Sequence, residues 1–367
     1  MKPKTLKVIL RGCLLSAALG FTTSSFALTD QEQLGRFLYF DENLSINQNQ
    51  ACASCHLPEA GFADPDRQLP VSEGSIAGKF GSRNSPSSSY AAFFPEFTLK
   101  RGIQGGQFWD GRAANLTEQA KGPFLNPVEM AMPSKAAVVL AVESSPVGYR
   151  QLFLQVCGQN AFDDARNDFQ PGIENAYHCL ADSIAIFERT EELSPFTSKF
   201  DAVEAGLAVF TAEEEEGFSL FTGQGKCAHC HSLGGGNEKT VFTDFKFHNI
   251  GVPSNPEMIS LANLPADFKD PGLGGFLNDP KQVGRFKTTH LRNVELTPPY
   301  MHNGVLKTLK DVVHFYNTRD IPGEWPEPEI SENLDSNFVG DLGLTDAEEN
   351  AIVAFMKTLN DAFIVPR

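Results

Sequence analysis

The chain is short of positive charge, of long apolar runs and of strand pattern, and each shortage removes a class of function. Its 367 residues carry 30 Lys and Arg against 46 Asp and Glu, a formal net charge of −16. Such a surface repels nucleic acid and anionic lipid and favours a cationic partner. No apolar stretch reaches the roughly 20 residues that a membrane-spanning helix needs, so an integral membrane protein is not expected. Apolar–polar alternation of the strand kind is scarce, which points to a mainly α fold. The length and the 41% apolar content suffice for two domains with cores of their own.

The first 27 residues belong to neither domain. Lys2, Lys4, Lys7 and Arg11 form a basic head, residues 13–21 are apolar and small, and Ser25-Phe26-Ala27 ends the segment. This order is that of a signal peptide cleaved after Ala27, and it predicts export to the periplasm. A membrane anchor is the competing reading, and the apolar run is too short for it. Cleavage takes four positive charges and moves the formal charge from −16 to −20.

Seven cysteines are present. Cys13 leaves with the leader. Cys52 with Cys55, and Cys227 with Cys230, form two Cys-x-x-Cys pairs, followed directly by His56 and His231. Two thiols at this spacing reach the two vinyl groups of one porphyrin, and the next residue stands under the iron as its ligand. A lone pair of this kind reads equally as a redox disulfide or half a zinc site; two copies with a histidine each, behind a leader, read as two covalently bound haem c groups. His229 is a variable residue within the second motif. Cys157 and Cys179 remain, and the sequence leaves open whether they pair or stay as buried thiols.

The two motifs lie 175 residues apart with similar flanks. Thr29 with Glu32, and Thr211 with Glu214, predict capping boxes that open short amphipathic helices towards each haem site. Thr345 with Glu348 predicts a third, opening a helix with Ile352, Val353, Phe355, Met356 and Leu359 on its apolar face. A further helix is expected over Tyr177–Glu191. Gly74–Ser89, Gly234–Asn237 and Pro271–Asp279 read as long irregular loops around the haems. A boundary near Ser194–Gly206 gives residues 28–200 as an N-terminal, peroxidatic cytochrome c-like domain and 201–367 as a C-terminal, electron-transfer one.

What each haem can do depends on the far side of its iron, since an iron with two strong ligands only passes electrons. No histidine occurs between His56 and His178, so no nearby segment brings a distal imidazole to the first haem. That stretch instead holds FWDGRA (Phe108–Ala113), EQAKGP (Glu118–Pro123) and NPVEM (Asn126–Met130). These strings, with the two haem motifs, resemble the bacterial di-haem cytochrome c peroxidases and the related MauG-type enzymes, over about residues 35–363.

The resemblance implies roles residue by residue. Trp109 would lie between the haems as an electron relay, and Gln119 and Glu129 would line the distal pocket of the first haem. Asn84, Thr297 and Pro299 would hold a calcium ion between the haems. His302, in YMHNG, matches the family's histidine near the second haem. A held carboxylate suits peroxide cleavage, because a proton must pass from one peroxide oxygen to the other. A lone Glu is otherwise usually a solvated charge, and a lone Trp usually core.

Two departures stand out. The typical di-haem peroxidase has a distal His about sixteen residues after its first haem motif, and position 72 here is Ser. The first haem is therefore expected to be open without prior reduction. The peroxidases also place a Met ligand fourteen residues after the histidine matched by His302, and that count reaches Tyr316, as in MauG-type enzymes. A phenolate favours ferric iron and high oxidation states. His290, His314, Met258, Met301 and Met356 are rival ligands. The segment between Phe94 and Gly106 is longer than usual for the family.

The expected function is peroxide activation at the first haem. Electrons would come through the second from a cytochrome c or other small redox protein, or from an aromatic side chain of a partner protein. A plain two-haem electron carrier is the alternative, and it needs a strong sixth ligand on both irons, for which Met130 or Met132 would have to serve.

Overall fold

Each half of the molecule opens and closes with the same helical device. The computed structural model describes residues 27–100, 102–234 and 239–365; the expected leader over 1–26 and part of the expected loop Gly234–Asn237 lie outside them. In the first half α1 (Asp30–Phe40) is followed by α2 (Cys52–Cys55), α3 (Leu116–Ala120), α4 (Gly122–Leu125), α5 (Lys135–Ser144), α6 (Arg150–Cys157), α7 (Ala161–Arg166) and α8 (Gln170–Phe187). The second half holds α9 (Lys199–Glu204), α10 (Ala212–Thr222), α11 (Pro256–Leu261), α12 (Leu273–Leu277), α13 (Leu309–Thr318) and α14 (Asp346–Lys357). The one two-stranded sheet among the described residues pairs Phe247–His248 antiparallel with Phe286–Lys287. The mainly α expectation is met.

All three expected capping boxes form, at Thr29, Thr211 and Thr345. Each closes two of the donors that a helix start leaves unpaired. Close approach of α1 to α8 depends on Gly35, where an added Cβ would lie 1.9 Å from the Ser183 carbonyl oxygen. Gly217 repeats the device between α10 and α14, with its Cβ position 1.9 Å from the Ala351 oxygen. Two separate cores result. One gathers Leu34, Leu38, Phe124, Phe153, Tyr177, Leu180 and Phe187. The other gathers Phe200, Phe221, Phe242, Val313, Ile352 and Phe355.

Two expectations need correction. The helix expected over Tyr177–Glu191 runs Gln170–Phe187. Pro171 sits in its first turn, where a missing N–H costs nothing, and the chain turns away after Phe187. Within the expected loop Pro271–Asp279, Leu273–Leu277 is helical, because Leu273 is fully buried and Asn278 ends the turn in the left-handed conformation. The Cys157–Cys179 pairing that the sequence left open is a disulfide joining α6 to α8. Among the described residues no helix is long and apolar enough to cross a membrane.

Candidate active site

A single cavity of about 710 Å³ runs between the two cores, and both Cys-x-x-Cys-His segments line it. Cys52, Cys55, Cys227 and Cys230 are free thiols on its wall, whereas the two other described cysteines are paired. Burial pushes the Cys55 and Cys227 thiols up to about 12, so they stand protonated. His56 Nδ1 lies 3.3 Å from the Phe62 carbonyl oxygen, and His231 Nδ1 lies 3.0 Å from that of Phe242. Each bond fixes the tautomer with the proton on Nδ1 and leaves Nε2 as a lone-pair donor. Burial lowers the pKa of both imidazoles, which keeps them neutral. Paired thiols, an oriented neutral imidazole and a large cavity at each end are the donor set that covalent haem c requires.

Gln119, Glu129, Arg112 and Ser72 of the N-terminal half all line this cavity. α3 carries Gln119. Glu129 lies in the turn after α4, where Asn126 Nδ2 donates to its Oε1 at 2.8 Å and its own carbonyl oxygen accepts Ser75 N–H at 2.7 Å. Burial pushes its carboxyl above the usual carboxylate range, and the Arg112 charge and the Asn126 bond pull it partly back. A half-buried acid whose pKa is raised by burial, held by an amide, can both accept and return a proton.

Trp109 stands at the waist of the cavity. Its Nε1 donates to the Asn84 carbonyl oxygen at 2.8 Å, and its own carbonyl accepts Lys287 N–H at 2.8 Å. Asn84 N–H in turn donates to the His302 carbonyl at 2.8 Å. Asn84, Thr297 and Pro299 share this wall and offer neutral oxygens, the donor type of a hydrated calcium ion.

In the C-terminal half α13 presents the half-buried Tyr316 to the cavity, and burial pushes its phenol well above the usual range. His290, Met301, His302 and Met356 share this wall. Met258 instead packs with Val71 and Ile259, and His314 bonds Glu349 and Glu324 outside the cavity. Those two rivals are thus not placed to reach the second iron.

Several wall residues carried no assigned role in the sequence. Arg112 lay in plain sight within FWDGRA. Glu188, Lys287 and His248 gave no local signal; their burial comes from packing. Lys287 Nζ donates to the Gly106 oxygen at 3.1 Å, and burial lowers its pKa to about 7. His248, Asp244 and Cys230 approach within 4.8 Å, but this thiol belongs to the haem pair.

Comparison with known proteins identifies the family. A family profile described as di-haem cytochrome c peroxidase matches residues 29–208. The chain is 40% identical over 348 residues to the methylamine utilization protein MauG of Paracoccus denitrificans, covering 89% of this chain and 88% of that one. It is 30% identical over 338 residues to the cytochrome c551 peroxidase of Nitrosomonas europaea, covering 90% and 80%. The crystal structure of the diheme peroxidase BthA from Burkholderia thailandensis superposes with a TM-score of 0.76 at 31% identity, over 90% of this chain and 86% of that one. With two haem-attachment ends facing one cavity and likeness along nine-tenths of its length, the chain belongs to the di-haem cytochrome c peroxidase family of enzymes.

Proposed function

We propose that the chain is an exported, periplasmic di-haem oxidoreductase that reduces hydrogen peroxide at its N-terminal haem site and draws electrons through its C-terminal one. The observation that carries this reading is that Gln119 and Glu129 line the same cavity as Cys52, Cys55 and His56, with no histidine over residues 57–177. Residues 28–200 form the peroxidatic domain and 201–367 the electron-transfer domain. His56 and His231 would hold the two haem irons, and Tyr316 would be a further ligand for the iron of the C-terminal half.

The haem irons, when bound, supply the electrons that cleave the O–O bond. Reduction of one peroxide takes two electrons and two protons and gives two waters. Glu129 accepts the proton from the nearer oxygen and returns it to the departing one, so its carboxyl ends as it began. The Gln119 amide orients the peroxide by hydrogen bonding. Trp109 shortens the path between the two sites, and His302 and the calcium donors Asn84, Thr297 and Pro299 hold the waist around it.

The spent electrons return from a cytochrome c or another small redox protein, or from an aromatic side chain of a partner protein. The acidic surface suits a cationic donor. Tyr316 favours the second outcome, because an anionic oxygen ligand stabilises oxidised iron.

The test is to record optical and EPR spectra of the diferric protein and then add one equivalent of peroxide without reductant. A high-spin and low-spin pair that converts quickly to a long-lived oxidised species is expected. Two low-spin haems, inert to peroxide, would make the protein a reductively activated peroxidase or a plain carrier. Glu129→Gln is expected to slow peroxide cleavage by about 10²-fold or more with both haems attached; unchanged kinetics would remove Glu129 from the mechanism.

A further inference from the structure

The waist of the cavity carries a chain of buried charges that peroxide cleavage does not use. Arg83 precedes Asn84, the residue whose carbonyl holds the Trp109 indole. Its guanidinium grips Asp270 of the C-terminal half with two bonds, Nε to Oδ2 at 2.6 Å and Nη2 to Oδ1 at 2.7 Å. Its third nitrogen reaches Asp110 Oδ2 at 2.6 Å, and Asp110 directly follows Trp109. Asp110 and Asp270 are 5% and 2% exposed.

The chain continues into the second haem site. Asp270 N–H donates to Glu329 Oε1 at 2.8 Å, and Glu329 Oε2 lies 3.0 Å from His302 Nε2. Arg83 and His302 also flank one ring, Phe286: the imidazole stacks on it at 3.7 Å and the guanidinium lies 5.8 Å from its centre. Phe286 precedes Lys287, whose N–H donates to the Trp109 carbonyl. The tryptophan is therefore held from its own half and from the other, and Arg83 ties the two holds together.

A buried ion pair adds little net stability against an apolar replacement, because desolvation offsets the attraction; what it fixes is geometry. Here it fixes the position of Trp109, the aromatic side chain read above as the link between the two sites. We propose that Arg83 is a positioning residue for electron exchange between the two haem sites, holding Trp109 against the C-terminal half through Asp110 and Asp270. The inference rests on the reading of Trp109 as the link. The step moves one electron from the C-terminal site to the N-terminal site through the indole. It needs no further reagent and leaves no net charge on Trp109.

The experiment uses the holoprotein with both haems attached and one equivalent of peroxide, followed by stopped-flow absorption at the bands of both haems. The quantity read is the ratio of the electron-exchange rate to the rate of peroxide consumption in the same sample. Arg83→Gln is expected to lower this ratio at least tenfold. Arg83→Lys, which keeps the charge but not the fork, is expected to fall between it and the parent. Asp270→Asn, which keeps the pairing of Arg83 with Asp110, is expected to lower the ratio in the same direction, and it decides the matter if Arg83→Gln does not retain haem. A merely structural role would lower the thermal midpoint and leave the ratio alone.

Ratios within twofold of the parent in both variants, while Trp109→Phe lowers it, would overturn the role of Arg83 and leave Trp109 in place. An unchanged ratio in Trp109→Phe as well would remove the link itself, and the proposal with it.

Discussion

The two halves share one frame and differ on the wall that faces it. In the first, a capped helix carries Gly35 against Ser183 of α8, and Ile184 of that helix lines the cavity. In the second, a capped helix carries Gly217 against Ala351 of α14, and Ile352 lines the cavity in the same register. Both proximal histidines are tautomer-locked by a backbone carbonyl. To the same cavity lining the first half adds Gln119 and Glu129, and the second adds Tyr316. The repeated part is the frame around the two Cys-x-x-Cys-His segments, while the unrepeated part is where, in the function we propose, one site reacts and the other stores charge. Fold and chemistry thus occupy different residues.

The strongest way to break this contrast is to close the open site. Ser72 lines the cavity close to Asp64 and Ser85, to which its hydroxyl bonds. Ser72→His would supply the imidazole that the stretch after His56 lacks. The first haem is then expected to become low-spin and its peroxide reaction to slow by roughly 10²-fold until the protein is reduced; EPR and rapid mixing would report it, and a persistent high-spin signal would show that the wall keeps the ring off the iron. The converse change opens the stored-charge site. Tyr316→Phe is expected to alter the ferric spectrum of the second haem and to shorten the life of the peroxide-oxidised state roughly tenfold. A spectrum identical to the parent's would move the ligand elsewhere, with His290 or Met356 next on that wall.

What could be read in advance was local and what could not was long-range. The capping boxes, the haem motifs and FWDGRA lie within a few residues of chain, and so do the physical reasons for them. Gln119, Glu129, Trp109 and Tyr316 were reached through such strings and share one cavity. The bond from Arg83 to Asp270 joins residues 187 apart, and no local pattern announces it. The Cys157–Cys179 pair, 22 residues apart, likewise depended on how α6 crosses α8. Leu273–Leu277 looked like loop because its glycines mask a helix that forms only where Leu273 is buried.

The shared frame can itself be tested by damaging each copy. Gly35→Ala and Gly217→Ala each push a methyl group into a facing carbonyl, and overpacking of this kind costs about 1–3 kcal/mol. Thermal unfolding followed at each haem's absorption is expected to show Gly35→Ala loosening the first half and Gly217→Ala the second. If either change unfolded both sites together, the two cores would behave as one cooperative unit.

A pH-dependent test comes from a mismatch within the repeat. Glu188 follows Phe187 as Met356 follows Phe355, so an acid stands in the first half where the second has a thioether. Glu188 is 4% exposed, and its Oε2 has no hydrogen-bond partner among the described residues. Burial raises its pKa from 4.5 to about 8. Below the lower value both folded and unfolded chains hold the proton, and the residue costs nothing. Between the two values the folded chain keeps a proton that the unfolded chain has released, so stability falls as pH rises, by at most about 1.4 kcal/mol per unit. Glu188→Gln removes that slope. Denaturant unfolding of the holoprotein between pH 5 and 8 is expected to show the variant gaining on the parent as pH rises. Curves that stay parallel would mean that Glu188 is ionised throughout and has found a cation in the haem-loaded site.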